Sequence, residues 1–192
     1  MYTIDVLLLV VKEAGENGLQ GRTLLQKKVY FLSELVGIDL GFSAHYYGPY
    51  SGLVAGNLAS LVNHGFLDEV TEVFETTPPR NRFGEKNRYT YFLTDDAKEL
   101  WSDIENDPEF PEWKEKLDRI NAYEIAHDFD RLSIAAKVHY ILDWRGESKI
   151  GEVERVAEEY GWRVEREDIE SVLFFLKGLE LVTTDESDNI PF

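Results

Sequence analysis

The chain has 192 residues, 43% of them hydrophobic, and contains no cysteine. This composition is typical of a globular protein, and it excludes disulfides, thiolate metal sites and a cysteine nucleophile. The formal net charge is −17 and is unevenly distributed: residues 1–94 hold 8 basic and 10 acidic side chains, whereas residues 95–192 hold 12 and 27. The second half should repel nucleic-acid phosphates, so any DNA contact is expected in the first half.

Membrane and export signals are missing from the sequence. The run VLLLVV at 6–11 is far shorter than the roughly 20 apolar residues that a spanning helix needs, and Asp5 and Lys12 flank it. The first residues show neither the basic start nor the small-residue cleavage site of a signal peptide. We therefore expect a cytoplasmic protein without a membrane partner.

The first half has the periodicity of three helices followed by two strands. The predicted elements are helices over 3–15, 23–36 and 51–65, a polar turn at 16–21, and strands over 66–76 and 88–94. Thr3 and Ser51 are the expected N-caps of the first and third helices, and Gly37 is expected to end the second. The inward stripe of the third helix is predicted to contain Leu53, Val54, Leu58, Leu61 and Val62.

This order of elements predicts a winged helix, with the third helix as recognition helix and residues 77–87 as the tip of the wing. Weaker signals repeat the plan in the second half. The predicted elements there are helices over 95–107, 112–129, 130–144 and 149–161, then a helix, a turn and a strand within 166–184. Tyr160 is assigned to an inward face, and DESDNIPF at 185–192 offers no convincing return strand.

We therefore predict a mainly α fold with small β-wings (α+β), built from two tandem winged-helix or helix-turn-helix-type units. Residues 1–94 would form an N-terminal winged-helix-like domain. Residues 95–129 would be connecting helices, and residues 130–192 a second helix-turn-helix-type domain.

The predicted wing is basic within an otherwise acidic chain. Arg80, Arg82, Lys86 and Arg88 surround the single acidic residue Glu85, which gives a local net charge of +3. Such a wing can bind phosphates or a minor groove of double-stranded DNA. A solvated hairpin tip and a contact with an acidic protein surface are alternatives of equal weight.

The second and third helices carry further candidate contacts to nucleic acid. Lys27 and Lys28 would reach phosphates, although a solvated helix edge is the favoured interpretation. The third helix would offer Asn57 and Ser60 to base edges. It contains no Arg or Lys, which argues against strong sequence-specific reading of the major groove.

The loop between these two helices is aromatic. Tyr46, Tyr47 and Tyr50 lie beside the turn signal Gly48-Pro49. These tyrosines either form a partner-binding patch or pack the loop onto the helices behind it, and packing is the favoured interpretation.

Signatures of catalysis and of cofactor binding are missing. The chain has neither a Gly-rich phosphate loop nor a Gly-x-Ser-x-Gly elbow, and no pair of histidines has the spacing of a zinc helix. His127, Asp128 and Asp130 stand close together, but a capped helix end is favoured there over a metal site. We predict no catalytic residue, no metal and no cofactor; an enzyme with an unrecognised site is the least favoured alternative.

Two motif segments carry a family resemblance: LLQKKVYFLSELVG at 24–37 and FSAHYYGPYSGLVAGNLASLVNHGFL at 42–67. Together they resemble the YwgA-like group of uncharacterised prokaryotic proteins and, more distantly, the Panacea-type antitoxin domain. The matching positions are Leu25, Gln26, Lys27, Tyr30, Tyr47, Gly48, Pro49, Tyr50, Ser51, Leu58, Leu61 and Gly65. The resemblance covers roughly residues 4–70.

The resemblance implies a winged-helix-like module without established enzymatic activity. The likeness to the antitoxin domain implies a protein partner or a regulatory role. Within this module, Gln26 is expected to bond the backbone of the Tyr47–Ser51 turn, and Lys28 is expected on the surface.

Two functions follow as hypotheses. The first is a non-enzymatic winged-helix regulator of transcription, whose contact with DNA, if any, runs through the basic wing. The alternative is an antitoxin- or adaptor-type protein-interaction module, acting through the aromatic turn and the acidic second half. A protein partner or a homodimer fits the alternative.

Overall fold

A computed structural model describes residues 1–73, 87–146 and 148–183, together with the backbone of Asn189 and Ile190. In these residues the chain is mainly helical with small antiparallel sheets, so the predicted α+β class is confirmed. The α-helices are α1 Thr3–Lys12, α2 Arg22–Val36, α3 Gly52–Asn63, α4 Asp95–Glu99, α5 Trp101–Glu105, α6 Phe110–Asn121, α7 Phe129–Arg145, α8 Ile150–Glu159 and α9 Arg166–Gly178. Short 3-10 turns lie at Gly15–Asn17 and Glu124–His127.

The strands of the described residues form one three-stranded and two two-stranded sheets, all antiparallel. They are β1 Leu19–Gln20, β2 Phe42–Ser43, β3 Tyr50–Ser51, β4 Leu67–Val73, β5 Asn87–Leu93, β6 Ser148–Lys149 and β7 Asn189–Ile190. The larger sheet has the order β1-β5-β4, with Leu67 opposite Leu93. β2 pairs with β3, and β6 pairs with β7.

The local signals around α2 and α3 are confirmed. Gly37 follows α2 in the left-handed conformation, with φ of 70°, where a residue without a β-carbon is favoured. The Ser51 hydroxyl accepts a hydrogen bond from the Val54 N–H at 3.1 Å, as expected of an N-cap. The end of α2 and the beginning of α3 are therefore set by residues close in sequence.

Other predicted boundaries in the first half are wrong. The N-cap of α1 is Tyr2, not Thr3, because the Asp5 carboxylate accepts the Tyr2 N–H at 2.8 Å. The predicted polar turn at 16–21 contains strand β1, which pairs with β5. Two residues are too few to show a strand period, so this strand depends on a partner distant in sequence.

The second half departs further from its prediction. The strand expected after α9 is absent from residues 179–183. Glu180 adopts φ of 63°, while the N–H of Leu181 donates to the carbonyl of Leu176 at 3.0 Å, so the chain turns in a left-handed helix cap. DESDNIPF contains a short strand, β7, which was not expected and which pairs with β6 before α8. The helix predicted over 95–107 is divided into α4 and α5, and the one predicted over 112–129 ends at Asn121.

Buried side chains from both halves belong to one hydrophobic core, and α2 lies at its centre. This helix packs against α1, α6 and α7. The Phe31 ring lies 5.1 Å from the Phe175 ring of α9, between centroids, and the Tyr30 hydroxyl bonds His139 Nδ1 of α7 at 2.7 Å. Among the described residues, no helix is long and apolar enough to cross a membrane.

Candidate functional site

The turn between α2 and α3 is held by the side chain of Gln26. Its amide nitrogen donates to the Ser51 carbonyl and its oxygen accepts the Ser51 N–H, both at 3.1 Å. The Ser51 hydroxyl also donates to the Leu40 carbonyl at 2.6 Å. The expectation that Gln26 bonds the backbone of this turn is confirmed. The glutamine is buried, and it hydrogen-bonds two backbone groups of the buried Ser51.

The two lysines that follow Gln26 are buried, so the predicted solvated helix edge is wrong. Lys27 is 1% exposed and its ammonium donates to the Pro49 carbonyl at 2.5 Å. Lys28 is 4% exposed and donates to the Asn121 side-chain oxygen at 2.6 Å. The physical reason is that α6 and α7 cover this side of α2. In this conformation neither lysine reaches a phosphate.

Burial changes the chemistry of both amines. Burial, with a smaller contribution from the nearby ammonium of Lys137, lowers the pKa of Lys27 from 10.5 to about 7. Burial also lowers the pKa of Lys28 to about 8. Water solvates a charged amine better than the protein interior does, so the neutral form is favoured there.

Gly48 closes the turn over these lysines. A β-carbon at this position would lie 3.0 Å from Lys137 Cγ and 3.5 Å from Lys27 Cε, and the φ of 99° disfavours any other residue. The turn is also fixed from the second half, because the Trp162 indole N–H donates to the His45 carbonyl at 2.7 Å. Side chains from both halves therefore position the aromatic turn.

The three tyrosines of the turn are placed differently from one another. Tyr46 is 61% exposed, whereas Tyr47 and Tyr50 are partly buried. The Tyr50 ring lies 4.9 Å from the His45 ring and also lines a groove beside α3.

This groove, which we call the α3 groove, has a volume of about 290 Å³ and lies between α2, α3 and the three-stranded sheet. It is lined by Arg22, Gln26, Tyr50, Ala55, Leu58, Ala59, Val62, Asn63, Glu69 and Tyr91. The α3 side of the groove is mostly apolar, and its sheet side is polar. Gln26 and Tyr50, two residues of the family motif, thus line the same groove as the third helix.

The polar side of the α3 groove is a closed triad. The Arg22 guanidinium donates to the Tyr91 hydroxyl and to the Glu69 carboxylate, each at 2.9 Å, and the Tyr91 hydroxyl donates to Glu69 at 2.6 Å. Burial would raise the pKa of Glu69, but the bonds from Tyr91 and Arg22 outweigh it and hold that pKa below its usual value. Burial and the bond to Glu69 raise the pKa of Tyr91. The opposite charges of Arg22 and Glu69 balance within the triad.

The outward face of α3 carries no charge. No Asp, Glu, Lys or Arg occurs between Ser51 and Leu67. Leu53, predicted to point inward, is 52% exposed, because it lies about 100° around the helix from the buried Val54. Val54, Leu58 and Leu61 are buried as predicted.

Asn57 and Ser60, the candidate base-reading residues, are partly exposed and bond within their own helix. The Asn57 amide donates to the Leu53 carbonyl at 2.9 Å, and the Ser60 hydroxyl lies 3.3 Å from His64 Nδ1. Each side chain keeps further donor or acceptor capacity beside this local bond, so the base-reading role of both residues stays a prediction.

The wing prediction falls largely on residues 74–86, so Arg80, Arg82 and Lys86 lie outside the described residues. Arg88 is partly exposed on β5, opposite Glu72 of β4. The role of these four residues in DNA binding stays a prediction.

The cluster at 127–130 is a helix cap, as favoured from sequence. The Asp128 carboxylate accepts the N–H groups of Asp130 and Arg131 at 3.0 and 3.1 Å. His127 Nε2 lies 3.0 Å from the Asn121 carbonyl. Across the described ranges, no group of three His, Cys, Asp or Glu side chains is placed to hold a metal ion.

Sequence reasoning missed five residues of this region: Arg22, Glu69, Tyr91, Lys137 and Trp162. Lys137 had a usable signal, since it interrupts the apolar segment SIAAKVHYIL at 133–142. Glu69 and Tyr91 face each other only once the register of β4 and β5 is known. Trp162 gave no local signal of its contact with the turn.

Comparison with known proteins assigns no family. No protein-family model matches the chain, and no curated protein matches it significantly. The resemblance to the YwgA-like group and to the Panacea-type domain therefore stays a prediction that rests on the motif residues alone.

Proposed function

We propose that the first half is a winged-helix unit. The order α1-β1-α2-α3-β4-β5, with the short β2–β3 pair between α2 and α3, and the antiparallel arrangement β1-β5-β4 support this, with α3 in the position of the recognition helix. In the second half, α7, α8 and α9 with the β6–β7 pair support a helix-turn-helix-type unit. The boundary between these units stays a sequence prediction.

The function that this geometry favours is a non-enzymatic, antitoxin- or adaptor-type module that binds a protein partner through the uncharged outward face of α3. The observation that carries the proposal is the uncharged outward face of α3, where Leu53 is 52% exposed. The buried centre of a protein interface is depleted in charge, whereas DNA binding needs cations facing the phosphates. Lys27 and Lys28, which were candidates for phosphate contacts, are buried.

A charge placed on this face tests the proposal. Leu53→Glu would force a carboxylate into the interface, and we expect at least a tenfold loss of partner capture in a pull-down from the source cells. Leu100→Glu is the matched control, because Leu100 is 40% exposed on the distant α4–α5 segment. A partner is assigned to the outward face of α3 only if purified partner binds the Leu100→Glu variant normally and the Leu53→Glu variant weakly. Equal binding to both variants would refute the proposal.

A second function, regulation through DNA, is favoured by one observation. The local net charge of +3 around Arg80, Arg82, Lys86 and Arg88 stands out in an acidic chain. Phosphate binding by these residues predicts an affinity for random-sequence duplex DNA that falls steeply with salt.

The test for DNA is fluorescence anisotropy at two salt concentrations, with all four wing residues changed to alanine. The matched control removes the same charge from exposed positions of the second half, namely Arg155, Arg163, Arg166 and Lys177. Loss of binding in the wing variant alone would establish the DNA-linked function. Absence of binding at low salt would eliminate it.

A further inference from the structure

A second cavity, of about 310 Å³, lies beside the end of α2, and none of its lining residues lines the α3 groove. We call it the α2–α7 cavity, because Glu34 of α2 and Asp143 of α7 both line it, together with Asp39 of the segment after Gly37. Glu34 is partly buried, and Asp39 and Asp143 are exposed. The volume is sufficient for a small organic molecule.

The charges of the α2–α7 cavity are not balanced by the protein. Its lining contains three carboxylates and no basic side chain. In the described part of the chain, none of Glu34, Asp39 and Asp143 forms an ion pair. Arg145, the cation nearest to them in sequence, lies over the Trp144 ring, 4.7 Å from its centroid. A cation in the cavity would therefore meet carboxylates that have no counterion of their own.

The protonation behaviour of the lining agrees with this excess of negative charge. Burial, with smaller contributions from Asp143 and Asp39, raises the pKa of Glu34 from 4.5 to about 7. Burial and then the charges of Glu34 and Asp143 also raise the pKa of Tyr30. In neither case does a positive charge of the protein oppose the rise. A bound cation would favour the ionised form of Glu34.

The remaining walls of the cavity are largely aromatic. The rings of Tyr30, Phe42 and Tyr140 line it, and the Tyr30 and Phe42 rings lie 5.1 Å apart between centroids. Tyr140 is held from behind by Trp162, with 6.1 Å between the ring centroids. Aromatic faces attract ammonium groups and also pack against methylene groups. Carboxylates beside such rings therefore suit an organic cation.

The carboxylates are not arranged around one inorganic ion. Across the described ranges, no group of three His, Cys, Asp or Glu side chains is placed to hold a metal ion. Glu34, Asp39 and Asp143 instead come from three different segments that surround the cavity. A flexible molecule with several separated positive charges can face them individually.

We propose that the α2–α7 cavity binds an aliphatic polyamine, a chain of methylene groups that carries two or more ammonium groups. The ammonium groups would face Glu34, Asp39 and Asp143, and the methylene groups would pack on Phe42 and Tyr140. The inference does not depend on the outward face of α3, so each of the two proposals can fail without the other.

The test uses the full chain and spermidine in an isothermal calorimetric titration at about pH 8, where Glu34 is mostly ionised. Glu34→Gln with Asp143→Asn should weaken binding at least tenfold, because two of the three facing charges are lost. Glu99→Gln with Glu167→Gln is the matched control, since it removes the same charge from exposed positions that do not line the cavity. It should leave the affinity unchanged.

A second variant keeps the proposal testable if the first one lowers the melting temperature measured by circular dichroism. Asp39→Asn removes one charge from an exposed position. It keeps a side-chain oxygen that can accept the Gly41 N–H, as the Asp39 carboxylate does at 2.7 Å. The fold should survive, and spermidine binding should weaken at least threefold.

Four outcomes would overturn the proposal. Spermidine could fail to bind the parent chain. The control variant could lose as much affinity as Glu34→Gln with Asp143→Asn, which would reduce binding to general attraction by a chain of net charge −17. Mg²⁺ could bind as tightly as spermidine and depend on the same carboxylates, which would assign them to an inorganic cation. A short peptide with a single lysine could bind as tightly as spermidine, which would assign the cavity to a side chain of a partner protein.

Discussion

The two central helices, α2 and α7, both bury polar side chains but use them differently. On α2, each of Gln26, Lys27, Lys28 and Ser33 makes a hydrogen bond from its side chain. On α7, His139 bonds Tyr30, whereas the Ser133 hydroxyl is buried and has no hydrogen-bond partner in the described part of the chain.

This difference distinguishes buried polar groups that stabilise the fold from a buried polar group that the fold only tolerates. The polar groups of α2 hold the aromatic turn and α6, so their removal should leave backbone groups or side chains unsatisfied. Burying a hydroxyl without a hydrogen-bond partner costs desolvation free energy that no hydrogen bond offsets. Burial of a polar group is therefore not by itself a sign that the group stabilises the fold.

The largest expected effect comes from Gln26→Ala. This change removes two buried hydrogen bonds to the backbone of Ser51, and we expect the free energy of unfolding to fall by about 2–4 kcal/mol. Gln20→Ala is the matched control, since Gln20 is exposed and its loss should cost less than about 0.5 kcal/mol. Urea unfolding followed by circular dichroism measures both. Equal stability of the two variants would show that the glutamine is not the support of the turn.

The next effect concerns pH. The pKa of Lys27 is about 7 in the folded chain and 10.5 in the unfolded chain, so between these values the unfolded state binds more protons. The free energy of unfolding should then rise with pH, by up to about 1.4 kcal/mol per pH unit for this residue. The rise should be clearest between about pH 7.5 and 9.5.

Lys27→Met should flatten this rise. Part of the slope should persist, because the pKa of Lys28 is about 8 when folded. Below about pH 7 the sign reverses for Glu34: burial, Asp143 and Asp39 raise its pKa to about 7, so its contribution falls as pH rises from 4.5. Lys177→Met, at an exposed site, is the control, and urea titrations at several pH values are the measurement. An unchanged slope in Lys27→Met would mean that Lys27 is charged in the folded chain.

The smallest expected effect is the difference in stability between alanine variants of two buried serines. Ser51→Ala removes the α3 N-cap and the bond to the Leu40 carbonyl and should cost about 1–2 kcal/mol. Ser133→Ala removes a hydroxyl that lacks a partner in the described residues, so it should be neutral or stabilising by up to about 1 kcal/mol. Thermal melts of both variants measure the difference. A larger loss in Ser133→Ala than in Ser51→Ala would contradict the contrast between α2 and α7.

Local sequence was informative where a short segment contains both interacting partners. The period of α2, the Gly37 stop, the Ser51 cap and the Asp128 cap all depend on residues within a few positions, and the structure has each of them. It was uninformative for β1 and for the β6–β7 pair, because a two-residue strand exists only through its partner. The sequence did not predict the triad of Arg22, Glu69 and Tyr91 for the same reason, because its members come from elements distant in the chain.

The sequence by itself determined the α+β class, the position of the main helices and the attachment of Gln26 to the turn. Only the tertiary structure decided that residues 24–33 are buried all round α2, that Lys27 and Lys28 point into protein, and that Leu53 points into water. The physical reason is that periodicity shows which side chains share a face of a helix. How many of those faces are covered depends on helices distant in the chain, here α6 and α7.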